Sequence, residues 1–140
     1  MAEFRTSTPN VTSVVASAEA CNRVSELPGA CRISPSEVAL VGDVSEAAVR
    51  AAVVRLDPDA VVLDVSDGWI VFSLGGPGSR EAFVRLSELE LPASGSLVGE
   101  VARVGVRILV EGDRIHLLVP SMVAAHVRER IEIDAAELLR

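Results

Sequence analysis

The chain has 140 residues, the length of one ordinary domain, with 49% hydrophobic residues, enough for a sizeable core. Thirteen basic residues against twenty acidic ones leave a net charge of −7, and every basic residue is Arg. An acidic chain without a basic cluster is a poor partner for nucleic acid, because phosphate neutralisation supplies most of that affinity. Aromatic residues make up only 3%, with Trp69 the sole Trp and no Tyr, so Val, Leu, Ile and Ala must build the core. Cys21 and Cys31 form no CxxC and only two His are present, which excludes zinc-ligand spacing. No apolar run approaches the roughly 20 residues of a membrane span, and the N-terminus lacks the apolar run of a signal peptide. The expectation is a cytoplasmic protein with reduced cysteines and no membrane partner.

Residues 1–30 are rich in Ser, Thr, Ala and Glu with weak periodicity, and Leu27-Pro28-Gly29 breaks the chain. They read as an N-terminal extension with the composition of a flexible arm, ahead of a single domain over 31–140. Ser34-Pro35-Ser36-Glu37 has the form of a helix start, but Val38-Ala39-Leu40-Val41 is short, apolar and β-prone, so a strand is expected over 37–41. Ser45 should cap a helix whose inward positions are Val49, Ala52, Val53 and Leu56, ended by Asp57-Pro58. Ala60–Val65 and Trp69–Leu74 read as strands joined by a hairpin turn at Ser66-Asp67-Gly68.

After Gly75-Gly76-Pro77-Gly78, Ser79 should cap a second helix facing inward through Ala82, Phe83, Leu86 and Leu89. Leu91–Ser96 reads as loop. Ala102, Val104, Val106, Ile108 and Val110 then alternate with Arg103, Gly105 and Arg107, the pattern of a half-buried strand. Glu111-Gly112-Asp113 turns the chain into a strand over 115–119, and Pro120-Ser121 opens a last helix with Val123, Val127 and Ile131 four apart. The order β-α-β-β-α-β-β-α defines an α+β fold: a ferredoxin-like β-α-β-β-α-β core with an added C-terminal strand and helix, the helices covering one face of an antiparallel sheet.

The residues that could carry chemistry are few. Gly75-Gly76-Pro77-Gly78 precedes a helix but is neither G-x-G-x-x-G nor a Walker loop, and Pro77 removes one amide donor. His116 sits among alternating apolar residues, and His126 lies on a helix surface. No catalytic, cofactor or metal residue is assigned. Arg103 and Arg107, expected on one strand face, and Trp69, beside a turn, are the candidate partner contacts, since Arg and Trp are favoured at interfaces.

The run Val62-Leu63-Asp64-Val65-Ser66, then Trp69 to Gly78, then Phe83-Val84-Arg85-Leu86-Ser87, resembles the T-protein-like, folate-binding family of the glycine cleavage system. That family shows a D-x-S strand, a strand leading into G-P-x-A, and a helix ending L-x-x-L-S; Asp113 to Pro120 fits its next strand pair. Among these relatives the chain is most similar to the short gamma subunits of heterotetrameric sarcosine oxidase, over residues 30–131. The acidic pair by which T-protein enzymes contact folate falls near Arg103 and Val104, where neither residue is acidic. The resemblance therefore implies an assembly role beside larger subunits that would carry FAD, FMN, NAD and tetrahydrofolate, with no cofactor in this chain. The alternatives are a stand-alone module for a small folate-like ligand and a self-associating domain, a homodimer when isolated.

Overall fold

A computed structural model describes all residues, 1–140. The chain divides into two compact units, residues 9–67 and residues 1–8 with 68–140. Antiparallel pairing with helices gives the α+β class that the periodicity predicts, but the strands are distributed over two sheets rather than one.

In the 9–67 unit the elements run β2 (Val11–Val15), α1 (Ala18–Val24), β3 (Ala30–Ser34), β4 (Glu37–Val41), α2 (Glu46–Val54) and β5 (Val61–Asp64), after β1 (Glu3–Ser7) of the other unit. The sheet order β3-β4-β2-β5 makes this β-α-β-β-α-β series ferredoxin-like. The arrangement is thus present, but it begins at Val11 rather than at residue 37. Alternation explains the packing. Val14, Val38, Leu40 and Val62 point to one face, where Ala20, Cys21 and Val24 of α1 and Val49 and Val53 of α2 cover them. Ala52 and Leu56, expected inward, are exposed. Each helix starts on a serine: Ser17 accepts from the Ala20 N–H and Ser45 from the Ala48 N–H.

The segment 1–30 is therefore not an extension. β2 is paired along both edges, with β4 and with β5, and α1 carries three buried residues. Its strands are too short and too rich in Ser and Thr for periodicity to reveal them; pairing partners far along the chain stabilise them instead. Cys21 and Cys31 are both buried and not joined by a disulfide.

The other unit has sheet order β1-β6-β9-β8-β7, with β6 (Trp69–Gly75), β7 (Ser94–Val101), β8 (Val104–Glu111) and β9 (Arg114–Pro120). Helices α3 (Ser79–Val84) and α4 (Ala124–Asp134) cover one face. Phe72, Leu74, Ile108, Val110, Ile115, Leu117 and Val119 meet Ala82, Phe83, Val127 and Ile131 in its core. Phe4 of β1 stacks on Phe72, ring centroids 5.7 Å apart.

Three local expectations are corrected. Ser66-Asp67-Gly68 is a short 3-10 turn, not a hairpin: β5 pairs with β2, while β6 pairs with β1 and β9. Gly78, at φ 89°, is the N-cap of α3 in place of Ser79, whose hydroxyl donates instead to the Asp113 carbonyl at 2.9 Å. Residues 94–101, expected partly as loop, form β7, and Val101 faces Val104 across a two-residue turn, Ala102-Arg103. Both turn residues have positive φ (52° and 66°), the geometry of a type I′ hairpin that Asn-Gly satisfies and a side chain resists.

Two predictions follow from these backbones. Gly29 has φ +77°, and a Cβ there would stand 2.1 Å from the Val41 carbonyl oxygen. Gly29→Ala should destabilise the protein by about 2 kcal/mol or more, read from the urea midpoint. In the opposite direction, the double variant Ala102→Asn with Arg103→Gly should stabilise it by roughly 1–2 kcal/mol by removing positive-φ strain. An unchanged or lower thermal midpoint contradicts that account of the turn.

Candidate functional site

The face of the five-stranded sheet turned away from α3 and α4 gathers the polar side chains of this unit. Register fixes which residues share it. Trp69, Val71 and Ser73 of β6 lie opposite Pro120, Leu118 and His116 of β9, and Arg107, Leu109 and Glu111 of β8 continue the same face. Val71, Leu109 and Leu118 are buried, so an apolar floor separates two polar groups.

At one end, the Arg107 guanidinium carbon sits 4.2 Å from the centroid of the Trp69 ring. Reaching across β9 desolvates the guanidinium stem, and Arg107 Nε is buried without a hydrogen-bond acceptor. The ring quadrupole replaces part of the lost hydration, but an unmet buried donor costs about 1–3 kcal/mol. Two of the expected contact residues are thereby brought together. Arg103 is not on this face: it is exposed, in the β7–β8 turn, one residue before β8 begins. There it helps line a groove with a cavity volume of about 890 Å³, bordered also by Val84, Leu86, Leu89 and Val98. Val104, the other position expected for the acidic pair, starts β8.

At the other end, His116 bridges two strands. Its Nδ1 is 2.8 Å from Ser73 Oγ and its Nε2 is 3.3 Å from Glu111 Oε2. Sequence order gives no hint of this trio, because the residues belong to three strands and meet only through the register. Serine, imidazole and carboxylate in line have the composition of a nucleophilic triad. A nucleophile also needs donors for a developing oxyanion. β6 is an interior strand, with Ser73 paired to Arg5 on one side and His116 on the other, so the backbone beside it is committed to two ladders. What the trio can do is tie β6, β8 and β9 together through half-buried His116. His126, as expected on an exposed helix surface, lies 3.1 Å from the Ala102 carbonyl through Nε2.

In the 9–67 unit, Asp64 Oδ1 accepts from the Ser66 hydroxyl at 2.6 Å and from its N–H at 2.9 Å, and Ser66 Oγ accepts from the Val11 N–H. The D-x-S sequence is therefore a turn that closes the end of β5 onto β2. The Ser66 hydroxyl, then its N–H, hold the Asp64 carboxyl below the ordinary carboxylate range. No group of three or more His, Cys, Asp or Glu side chains is placed to hold a metal ion, and no helix is long and apolar enough to cross a membrane.

With this geometry in view, comparison with known proteins is informative about fold. No protein-family model matches the chain, and no curated protein is similar to it in sequence. Among solved structures, a chain of the heterotetrameric sarcosine oxidase from Corynebacterium sp. U-96 is similar at a TM-score of 0.81 and 13% identity, over 98% of this chain and 85% of that one. The glycine cleavage system aminomethyltransferase T from Bartonella henselae is similar at a TM-score of 0.73 and 13% identity, over 99% of this chain. This chain covers only 47% of that protein's length. A putative C-terminal regulatory domain of aspartate kinase from Porphyromonas gingivalis w83 reaches a TM-score of 0.50 at 9% identity, over 96% of this chain and 97% of that domain. The chain thus shares a fold with a sarcosine oxidase chain and with part of an aminomethyltransferase.

The Asp64 turn makes a pH prediction. Its carboxyl is held below its unfolded value, so the contribution is present above the ordinary carboxylate range and is lost as pH falls through the folded pKa. From about pH 5 downward, urea midpoints should fall less steeply in Asp64→Asn than in the parent chain. Parallel profiles would remove Asp64 from the acid response.

Proposed function

We propose that the chain is a non-catalytic accessory subunit, gamma-like, of a sarcosine oxidase-type complex, and that its work is assembly. The observation that carries this reading is the extent of the structural match: most of both chains superpose on the sarcosine oxidase side, against under half of the aminomethyltransferase. The local chemistry agrees with it. The serine–histidine–glutamate trio is built into a paired sheet, and the turn at Asp64 has its carboxylate engaged by Ser66. In this reading FAD, FMN, NAD and tetrahydrofolate belong to larger partner subunits, and the complex works in the cytoplasm.

Arg103, Arg107 and Trp69 are the proposed contact residues. Arg103 is held outward on a strained turn, as a side chain kept for something other than stability is held. Arg107 and Trp69 form a preorganised cation–aromatic pair, and such pairs lose little entropy when a partner closes over them.

A tagged form of the chain, expressed in its own cells, should co-purify with a flavin-bearing partner at fixed stoichiometry, seen by flavin absorbance across the elution peak. Arg103→Gly and Arg107→Met should each weaken that association by about tenfold while leaving the melting curve within roughly 1 kcal/mol of the parent or better, since one relieves strain and the other removes an unmet donor. Elution of the folded chain alone, without flavin, contradicts the subunit reading. Saturable folate binding by the isolated chain would favour a ligand-binding module, and a concentration-dependent dimer in sedimentation would favour self-association.

A further inference from the structure

β7 lies at the edge of the five-stranded sheet, with β8 on one side and no strand on the other. Its register fixes which main-chain groups face out. Val101 and Val104 close a two-residue turn and so share hydrogen bonds, as do Gly99 with Val106 and Leu97 with Ile108. The N–H and C=O groups of Ser94, Ser96, Val98 and Glu100 therefore point away from β8. Two contacts agree with this parity: the Glu100 carbonyl accepts from the Ser87 hydroxyl at 2.6 Å, and the Ala102 N–H donates to the Leu86 carbonyl at 2.9 Å. Residues 86 and 87 thus cover the edge near the turn, and Arg80 reaches the Pro92 and Ala93 carbonyls at its other end. Between these caps, the outward N–H and C=O of Val98 meet no strand or loop of the chain. β7 itself has no Lys, no Pro and no irregularity of register, the usual devices that keep an edge from pairing.

The groove beside this edge adds side-chain recognition. Val84 and Val98 line it and are 71% and 50% exposed, although both are apolar. Arg103 stands in the same groove and has no ion pair in the chain, whereas Arg85, the other cation there, is paired with Glu137 at 2.7 Å. Glu88 and Glu100 also line the groove, so a run of acidic residues would be repelled and a single carboxylate, at Arg103, is what fits.

We infer that β7 pairs with an extended segment of the larger subunit, which adds a sixth strand to this sheet. The segment lays an apolar side chain over Val84 and Val98 and sets one carboxylate at Arg103. The inference deepens the subunit reading and rests on it, because it gives that contact a surface and a form. Main-chain groups facing outward call for main-chain donors and acceptors at strand spacing, which a helix, with its backbone already satisfied, does not offer. A second copy fits less well. Antiparallel pairing of two β7 edges about Val98 would bring Arg103 toward Ala93 of the other copy, whose carbonyl holds Arg80, and two cations would meet.

The experiment is flavin co-purification with variants of the tagged full chain. Val98→Pro removes an N–H that the β7–β8 ladder does not use, so the chain should still fold while its association with the flavin-bearing partner falls by about tenfold or more. Proline also constrains φ, so Val84→Lys, at an exposed position outside the sheet, serves as a second variant with a loss of similar size. Arg103→Glu should weaken the association about tenfold more than Arg103→Gly does, since it adds repulsion where glycine only removes attraction. Flavin at the parental level with both Val98→Pro and Val84→Lys overturns the edge pairing and leaves the subunit reading standing. A parent chain that elutes without flavin overturns both. A dimer of the isolated chain that Val98→Pro abolishes overturns the inference by assigning the edge to a second copy.

Discussion

The insertion of β2 between β4 and β5 is the interaction on which the 9–67 unit depends. β4 and β5 are separated by α2 and have no ladder with each other; each spends one edge on β2. Only with β2 in place do Val38, Leu40 and Val62 lie side by side as a continuous floor for α1 and α2. The pairing also sets the register. A slip of one residue would turn Val14 to the other face and bring Val11 or Ser13 into the helix-covered core. Contacts between residues near 12 and residues near 40 and 64 make this a sheet of high sequence separation, formed late relative to its helices on loop-closure grounds.

The same dependence explains what could be read from the sequence. Helix α2 was legible because Ser45 caps it and Val49 and Val53 repeat at helical spacing, all local signals. β8 was legible because Val104, Val106, Ile108 and Val110 alternate with Gly105 and Arg107, and β6 and β9 because they are apolar runs bounded by turn residues. β1 and β2, five residues each and rich in Ser and Thr, carry no such signal; their stability comes from partners tens of residues away. The β7–β8 turn was hidden for a different reason. Ala102-Arg103 has none of the Gly or Asn that marks a positive-φ hairpin, so the alternation ran through it as though it were strand.

Site residues divide along the same line. Trp69 and Arg107 were identifiable by residue type, and their juxtaposition required the sheet order that puts β9 between them. Ser73, His116 and Glu111 are unremarkable in the sequence and become a network only through two registers.

A fold shared at 13% identity constrains function weakly, since the core can be rebuilt by any sequence with the same pattern. Function must then be sought where the chain departs from what stability alone favours. Two such departures stand out: positive φ at Ala102 and Arg103, and the buried and unmet Nε of Arg107. Each would be relieved by an ordinary substitution, Asn-Gly in the turn and Met on β8. Both belong to the five-stranded sheet: Arg103 is exposed in its β7–β8 turn, while the Arg107 guanidinium lies against Trp69 within the fold. Neither arginine is required by the packing of the sheet, and this is the physical reason for placing the proposed subunit contact on this unit.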